Sequence, residues 1–201
     1  ELLMNKFEQL YQLGVRQFGV SYDDISANSA APHIEVINKV NKEFVKKKRD
    51  VKPLIVVGTR YAQAWGPDVN SYLKPFLKEL DEDVIVMWTG AETMGTLNKE
   101  DFEWPAKQTG TERKLAAWWN YPVIDYADGK MLMGPLDGVH NDADNLLGVF
   151  LNPMPHAQAS RIAIYSGADY SWNLNSFEKM SSWRRAIKEL VPKEKEAFER
   201  F

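Results

Sequence analysis

Short apolar segments alternate with helical segments along most of this 201-residue chain. Residues 53–57 (Pro-Leu-Ile-Val-Val) and 84–88 (Val-Ile-Val-Met-Trp) are continuous apolar runs, which are typical of strands buried on both faces of a parallel sheet. Strands are predicted at residues 15–22, 53–57, 84–88, 114–119 and 146–151. Because strands that alternate with helices usually pair in parallel, the chain is predicted to have an α/β fold.

Apolar residues recur at helical spacing between and beyond these strands. Helices are predicted at residues 1–13, 32–48 and 71–80, and two more are predicted around residues 183–187 and 193–200. Residues 90–110 are polar and are predicted to be irregular. The first helix ends at Gly14 and has no capping sequence before it, so the chain is expected to begin inside a longer domain. No internal repeat or low-complexity linker occurs, which predicts a single domain over residues 1–201.

The composition excludes several classes of protein. Basic and acidic residues nearly balance, at 25 and 28, so the charge pattern does not indicate nucleic-acid binding. The absence of cysteine excludes disulfides and thiolate metal sites. No apolar stretch approaches the length of a membrane span. Asp142 and Asp144 follow His140, but we interpret this segment as a solvated acidic loop; no metal site and no cofactor are expected.

Polar residues follow the ends of four different predicted strands. They are Asp23 with Asp24, Tyr61, Asn120 and Asn152. A barrel gathers the carboxyl ends of all its strands around one mouth, whereas an open doubly wound sheet concentrates its site at one switch point. Four strand ends therefore favour the barrel. Since five strands cannot close an eight-stranded cylinder, the chain is predicted to be an incomplete (β/α)8 TIM barrel, about its last five β/α units.

Asp23 and Asp24 are adjacent carboxylates at the point where a buried strand meets a loop. Two like charges this close favour a state in which one group stays ionised and the other holds a proton. Such a pair suits general acid catalysis beside a charge-stabilised intermediate. The alternative is that the aspartates cap the helix that follows. From the pair alone, both interpretations stay open.

Several sequence strings together resemble a known family. The longest are residues 18–25 (Phe-Gly-Val-Ser-Tyr-Asp-Asp-Ile), 118–125 (Trp-Trp-Asn-Tyr-Pro-Val-Ile-Asp) and 151–153 (Leu-Asn-Pro), with shorter matches at residues 87–90, 133–135 and 168–173. In this order and spacing they resemble glycoside hydrolase family 84. These are the β-N-acetylglucosaminidases that include O-GlcNAcases and proteins labelled hyaluronidases. The resemblance extends through almost the whole chain, to about Trp172.

The resemblance implies a hydrolase that removes terminal β-linked N-acetylglucosamine with retention of configuration. In such enzymes the substrate's own 2-acetamido oxygen attacks the anomeric carbon and gives an oxazoline intermediate, which is an exception to the usual enzymic nucleophile. Asp23 would then orient the acetamido N–H and stabilise its developing positive charge. Asp24 would protonate the leaving oxygen and later activate water. Because consecutive strand residues face opposite sides, the strand is expected to end or bulge at this pair.

By the same resemblance, five more residues would bind the substrate. Tyr61 would contact the acetamido or leaving-group oxygen, Trp118 would form a wall of the N-acetyl pocket, and Asn120 would bond the acetamido or anomeric region. Asp125 would accept hydrogen bonds from the 4- and 6-hydroxyls, and Asn152 would hold the 3-hydroxyl. The residues alone leave other interpretations open: loop or core aromatics for the first two, turn formers for the asparagines and a solvated loop charge for the aspartate.

The family also uses a glycine and a lysine from its early strands, and neither has a counterpart in this sequence. The predicted pocket therefore has an open side, and the alternative function is that of a non-catalytic sugar-binding or structural fragment. The expected partner is a glycan or glycoprotein that contains N-acetylglucosamine. Because an open barrel exposes two sheet edges, a dimer or association with the missing barrel segment is also expected. A secreted or cell-surface location is expected by analogy with the family.

Overall fold

The computed structural model describes residues 1–65, 69–127 and 129–200 of the chain. It divides into two compact units: one consists of Glu1–Trp88 and Glu103–Ala116, and the other of Thr89–Phe102 and the chain from Ala117 onward. The strands are β1 (Gly19–Ser21), β2 (Ile55–Val57), β3 (Ile85–Trp88), β4 (Ala116–Pro122) and β5 (Val149–Asn152). The α-helices are α1 (Leu2–Gln12), α2 (Ala31–Val40), α3 (Lys74–Glu79), α4 (Lys99–Thr109), α5 (Ala157–Trp172), α6 (Lys179–Leu190) and α7 (Lys195–Arg200).

The strands pair in parallel within each unit. In the first unit β2 lies between β1 and β3, with Ser21 opposite Val57 and Val57 opposite Met87. In the second unit β4 pairs with β5, and Trp119 lies opposite Leu151. Helices α2, α3 and α4 follow β1, β2 and β3, and α5 follows β5. The α/β class is therefore confirmed, and the arrangement is consistent with part of a (β/α)8 barrel.

Three phenylalanines form the core at the junction of α1, β1 and α2. Phe7 lies on α1, Phe18 directly precedes β1, and Phe44 lies in a π-helical turn (Asn41–Val45) that continues α2. All three are buried, and their ring centroids are 4.7, 5.1 and 5.6 Å apart in tilted and edge-on geometries. These are geometries that the aromatic quadrupole favours, so the rings fix how the first helix docks on the sheet.

Arg113 joins the end of α3 to the start of β3 through backbone carbonyls. Its guanidinium donates hydrogen bonds to the carbonyls of Leu77 (2.9 Å), Leu80 (2.6 Å), Asp81 (3.1 Å) and Val84 (2.8 Å). The last carbonyls of a helix have no partner within the helix, and a charged donor binds them more strongly than a neutral one. Burial lowers the pKa of the Arg113 guanidinium from its usual value. A single side chain therefore provides hydrogen-bond donors for backbone carbonyls at the end of α3 and just before β3.

A face of small side chains lets α5 pack closely against β5. Gly167 lies against Leu151, and a Cβ built on this glycine would be 2.5 Å from a Leu151 methyl group. Ser160, Ala163 and Ser166 on the same helix are buried as well. Any side chain at position 167 therefore requires Leu151 or the helix to move.

Helices α5 and α6 share a second apolar cluster. It contains buried Ile162 of α5 and Trp183, Ala186 and Ile187 of α6. The indole N–H of Trp183 donates to the Met133 carbonyl at 2.8 Å, so its polar atom is satisfied inside the cluster. The helix predicted around residues 183–187 is confirmed, and its apolar face forms this contact.

The prediction that residues 90–110 are irregular is wrong for the second half of that segment. Helix α4 occupies Lys99–Thr109. The Asp101 N–H donates to Oδ1 of Asn98 (2.9 Å), and the Asn98 amide donates to Oδ2 of Asp101 (2.6 Å), which forms a reciprocal cap at the start of the helix. Pro105 inside the helix and the charged first turn obscured this signal in the sequence.

The other elements agree with the sequence in part. All five predicted strands and the remaining predicted helices are present, with bounds that differ by several residues. Helix α5 was not predicted, because its buried face consists largely of small residues that give no strong apolar periodicity. None of the helices in the described ranges is both long and apolar enough to cross a membrane.

Replacing Arg113 with methionine should destabilise the fold, because buried carbonyls at the end of α3 would lose a charged donor. We expect Arg113→Met to lower the free energy of unfolding by roughly 2–4 kcal/mol. Chemical denaturation followed by circular dichroism measures this change. Arg161→Met is the matched control: the Arg161 guanidinium donates to the neighbouring Gln158 side chain on an exposed helix face, and the change should be within about 0.5 kcal/mol. Equal effects of the two substitutions would contradict the structural role of Arg113.

Candidate active site

Asp23 and Asp24 lie just past the end of β1. The last strand residue is Ser21, and the Tyr22 N–H still donates to the Val57 carbonyl at 3.0 Å. Asp24 then has a φ of 56°, in the left-handed region that aspartate tolerates better than most residues. The expectation that the strand ends at this pair is confirmed. The two carboxylates are therefore freed from the alternating orientation of strand side chains.

The interpretation of the pair as helix caps is wrong. Helix α2 begins only at Ala31, and its N-cap residue is Ala30, which makes no side-chain cap hydrogen bond. The loop between Asp24 and this helix separates the aspartates from the free N–H groups of its first turn. The carboxylates must therefore be explained by contacts other than a helix N-terminus.

Each aspartate has its own hydrogen-bond partner. The carboxylate of Asp23 accepts a hydrogen bond from the Ser21 hydroxyl. Oδ1 of Asp24 accepts one from the Tyr61 hydroxyl at 3.2 Å. Asp23 is partly buried, whereas Asp24 is exposed. The two groups thus have different surroundings, which is the condition for two adjacent carboxylates to perform different tasks.

Asp24 and Tyr61 line a cleft of about 310 Å³ in the first unit, a volume typical of small-molecule sites. The Tyr61 side chain is buried, at 5% exposure, and its hydroxyl donates to Asp24. The ring of Trp65 lies 6.2 Å from that of Tyr61 and is 49% exposed. Ile25, Ser26, Thr59 and Arg60 complete the lining. Sequence reasoning missed Arg60 and Trp65, although their position beside Tyr61 was a usable signal.

In the second unit the structure brings two predicted binding residues together. Asn120 lies near the end of β4 and Asn152 is the last residue of β5. The Asn152 amide donates to Oδ1 of Asn120 at 3.0 Å, and the Asn120 amide donates to the Thr93 carbonyl at 2.8 Å. Asn120 is buried, at 8% exposure. The interpretation of these asparagines as turn formers is wrong, because both lie in strands and bond across elements.

Trp118 lies on β4 opposite Phe150 of β5 and is partly buried. Asn120 lies two positions later on β4, where the pairing with β5 is irregular between Trp119 and Pro122. Burial raises the pKa of the neighbouring Tyr121 to about 12. The Tyr121 phenol therefore stays neutral, and its ring stacks on Trp119 at 4.8 Å.

Asp125 lies in an exposed turn after β4. It lines a cleft of about 520 Å³ together with Ile124, Met131, Pro155 and His156 and further loop residues. Among the described residues, no hydrogen bond joins it to either Asn120 or Asn152. The structure thus joins Asp24 to Tyr61 in one unit and the two asparagines in the other, while the roles assigned to these residues stay predictions.

No group of three histidine, cysteine, aspartate or glutamate side chains within the described ranges is placed to hold a metal ion. The polar groups of the candidate residues are carboxylates, which accept hydrogen bonds, and amides and hydroxyls, which both donate and accept them. Such groups exchange hydrogen bonds with sugar hydroxyl and amide groups, and a carboxylate also transfers protons. Groups of this kind are therefore able to bind a sugar.

Comparison with known sequences and structures places the chain among the glycoside hydrolases. The chain belongs to the β-N-acetylglucosaminidase family, whose sequence model matches residues 1–201. The resemblance to glycoside hydrolase family 84 is confirmed by two solved structures, CpGH84B and CpGH84D. The first is 41% identical with a TM-score of 0.88, and the second is 35% identical with a TM-score of 0.86.

The chain is much shorter than these relatives. It is covered over 98% and 97% of its length by the two solved structures, but it spans only 35% and 32% of theirs. A curated relative, Protein O-GlcNAcase from Mus musculus, is 26% identical in an alignment of 192 positions that covers 88% of this chain and 20% of the mouse protein. The chain therefore corresponds to about a fifth of the curated relative and a third of the solved chains.

The hydrogen bond between Asn152 and Asn120 should appear as an energetic coupling. We expect the unfolding free energies of Asn120→Ala, Asn152→Ala and the double variant to give a coupling energy of roughly 0.5–1.5 kcal/mol. Urea titrations of the four proteins provide the cycle. Asn173→Ala combined with Asn120→Ala is the control pair, because no hydrogen bond joins these residues, and it should be additive. A coupling near zero for Asn120 with Asn152 would show that the bond contributes no stability.

Proposed function

We propose that this chain carries the acid–base carboxylate and part of the sugar-binding site of a retaining β-N-acetylglucosaminidase. The observation that supports this most directly is the left-handed turn at Asp24, which follows the end of β1 and gives two consecutive carboxylates different partners. Membership in the β-N-acetylglucosaminidase family supports the substrate class. The mouse relative is named for O-GlcNAc, so the substrate proposed here is terminal β-linked N-acetylglucosamine on a glycan or glycoprotein.

In the proposed mechanism the substrate supplies the nucleophile. The 2-acetamido oxygen forms a bond to the anomeric carbon while the bond to the leaving oxygen breaks, and Asp24 donates its proton to that oxygen. The product of this step is an oxazoline. Asp24 then takes a proton from water, which attacks the anomeric carbon and reopens the ring, so that configuration is retained overall. The exposure of Asp24 allows it to exchange protons with solvent between cycles.

Asp23 orients the acetamido group in this proposal. Its carboxylate is held by the Ser21 hydroxyl and accepts the acetamido N–H, which stabilises the positive charge that develops as the oxygen attacks. Tyr61 acts beside Asp24 at the acetamido or leaving-group oxygen. The other proposed binding residues lie in the second unit: Trp118 as a wall for the N-acetyl group, Asn120 for the acetamido or anomeric region, Asp125 for the 4- and 6-hydroxyls and Asn152 for the 3-hydroxyl.

We further propose that the chain corresponds to the last five β/α units of a (β/α)8 barrel. Parallel strands that alternate with helices support this proposal. The family's glycine and lysine on earlier strands would then come from outside this chain. Association with that segment, a dimer, and a secreted or cell-surface location remain further predictions of the same kind.

Hydrolysis of two fluorogenic or chromogenic β-N-acetylglucosaminides tests the assigned roles. In the full natural protein, Asp24→Ala should lower kcat/KM by about 10²- to 10⁴-fold for a methylumbelliferyl leaving group, which needs a proton. The same variant should lose less than about tenfold for a dinitrophenyl leaving group, which departs without one. Asp23→Ala should lower both rates, because attack by the acetamido oxygen accompanies departure of either group. Rates are corrected for the folded fraction.

Asp142→Ala provides the matched control, because Asp142 is an exposed aspartate outside the proposed site. Its rates should equal those of the wild type for both substrates. A uniform loss in Asp24→Ala for both leaving groups would contradict its role as general acid. A folded wild-type protein that binds N-acetylglucosamine but hydrolyses neither substrate would reject the catalytic function and favour a sugar-binding fragment.

A further inference from the structure

A buried tyrosine links the two segments that carry Asp23–Asp24 and Tyr61. Tyr72 lies in the π-helical turn before α3 and is 1% exposed. Its hydroxyl accepts a hydrogen bond from the Thr59 N–H at 2.8 Å and lies 2.9 Å from Nδ1 of His33 on α2. Thr59 follows β2 and stands two residues before Tyr61. The phenol therefore connects α2 to the loop that carries the proposed site tyrosine.

His33 and Thr59 also contact Tyr22, the residue before the two aspartates. The imidazole of His33 stacks on the ring of Tyr22 with a centroid distance of 3.9 Å and an interplanar angle of 4°. The Thr59 hydroxyl donates to the Tyr22 carbonyl at 2.9 Å. Tyr22, His33, Tyr72 and Thr59 thus form a closed ring of contacts, which we name the tyrosine clamp. Tyr22 directly precedes Asp23, so the clamp fixes the residue from which the aspartate loop starts.

The directions of the hydrogen bonds can be assigned from the donors available. Tyr72 has one hydroxyl proton, and its oxygen already accepts from Thr59. Nδ1 of His33 lies within hydrogen-bond distance of the phenol oxygen, and we assign it as the acceptor of that proton. This assignment requires a neutral imidazole with its proton on Nε2. Burial lowers the pKa of His33, which favours the neutral ring.

Gly58 makes room for the clamp. A Cβ at this position would lie 3.0 Å from the Phe76 ring and 3.2 Å from the Tyr72 ring. These distances are shorter than ordinary contacts, so a larger residue would require the Phe76 and Tyr72 rings to shift by a few tenths of an ångström. The close approach of the two rings to the backbone after β2 depends on the missing side chain at position 58.

We propose that His33 and Tyr72 are positioning residues for catalysis: through Tyr22 and Thr59 they hold the Asp23–Asp24 loop and the Tyr61 loop in register with each other. The inference rests on the proposed function. The site needs such support, because β1 has only three residues and Asp24 is exposed in a left-handed turn. A displacement of about 1 Å in catalytic groups is enough to reduce a rate about a hundredfold.

Three variants of the full natural protein test the clamp. Tyr72→Phe removes the hydroxyl, and His33→Leu removes the acceptor; each should lower kcat about tenfold or more and change KM less than about threefold. His33→Asn retains an amide oxygen near the position of Nδ1 and should restore kcat to within about threefold of the wild type. All rates are corrected for the folded fraction measured by denaturation.

Tyr170→Phe is the matched control. Tyr170 is another buried tyrosine, at 2% exposure, and its hydroxyl donates to the His140 carbonyl in the second unit. This change should destabilise the protein to a similar degree but leave kcat within about twofold. The proposal is overturned if Tyr72→Phe and His33→Leu keep the wild-type kcat, if His33→Asn is as slow as His33→Leu, or if Tyr170→Phe is equally slow.

Amide hydrogen exchange provides a readout that does not depend on activity. The Tyr22 N–H is bonded to the Val57 carbonyl, and its exchange should become at least about tenfold faster in Tyr72→Phe and His33→Leu but not in Tyr170→Phe. An inactive wild-type protein with the expected exchange pattern would reject the proposed function while the clamp is retained as a device that orders the loop. Unchanged exchange in both variants would overturn the clamp itself.

Discussion

The parallel pairing of β1 with β2 is the constraint on which the proposed catalytic site depends. Ser21 and Val57 are partners at the ends of these strands, so the chain leaves both strands at the same edge of the sheet. That register allows Tyr61, four residues past β2, to reach the carboxylate of Asp24, three residues past β1. A shift of the register would separate the two groups and turn the pair of aspartates away from the tyrosine.

Much of this arrangement could be predicted from the sequence because its signals are local. Continuous apolar runs predicted the strands. Polar residues directly after these runs predicted the sheet edge, at the carboxyl ends of the strands, where a site forms. The sequence signals of two helices, α4 and α5, were weaker. The cap of α4 is a short Asn98–Asp101 pair ahead of a proline-containing helix, and α5 buries small residues, Gly167 among them, that a search for large apolar side chains does not detect.

The contacts that organise the site were not predictable, because they join positions far apart in the sequence. The bond of Asn152 to Asn120 requires that the ends of β4 and β5 coincide, and the contact of Tyr72 with His33 requires that a helix and a distant turn meet. Neither pairing is encoded by spacing or periodicity; each depends on the strand register and on how the helices dock. Motifs therefore indicated the family, whereas the contacts of the supporting side chains could be seen only in the three-dimensional structure.

The close contact between Gly167 and Leu151 has a consequence for how mutations in this family should be interpreted. Leu151 immediately precedes Asn152, so a bulkier residue at position 167 would have to displace the Leu151 side chain next to a proposed sugar ligand. Such a change would register as weakened recognition of the substrate, although the altered residue never touches it. Helix α5 packs against the back of β5, and the absence of a side chain at Gly167 allows the helix and the strand to lie close together.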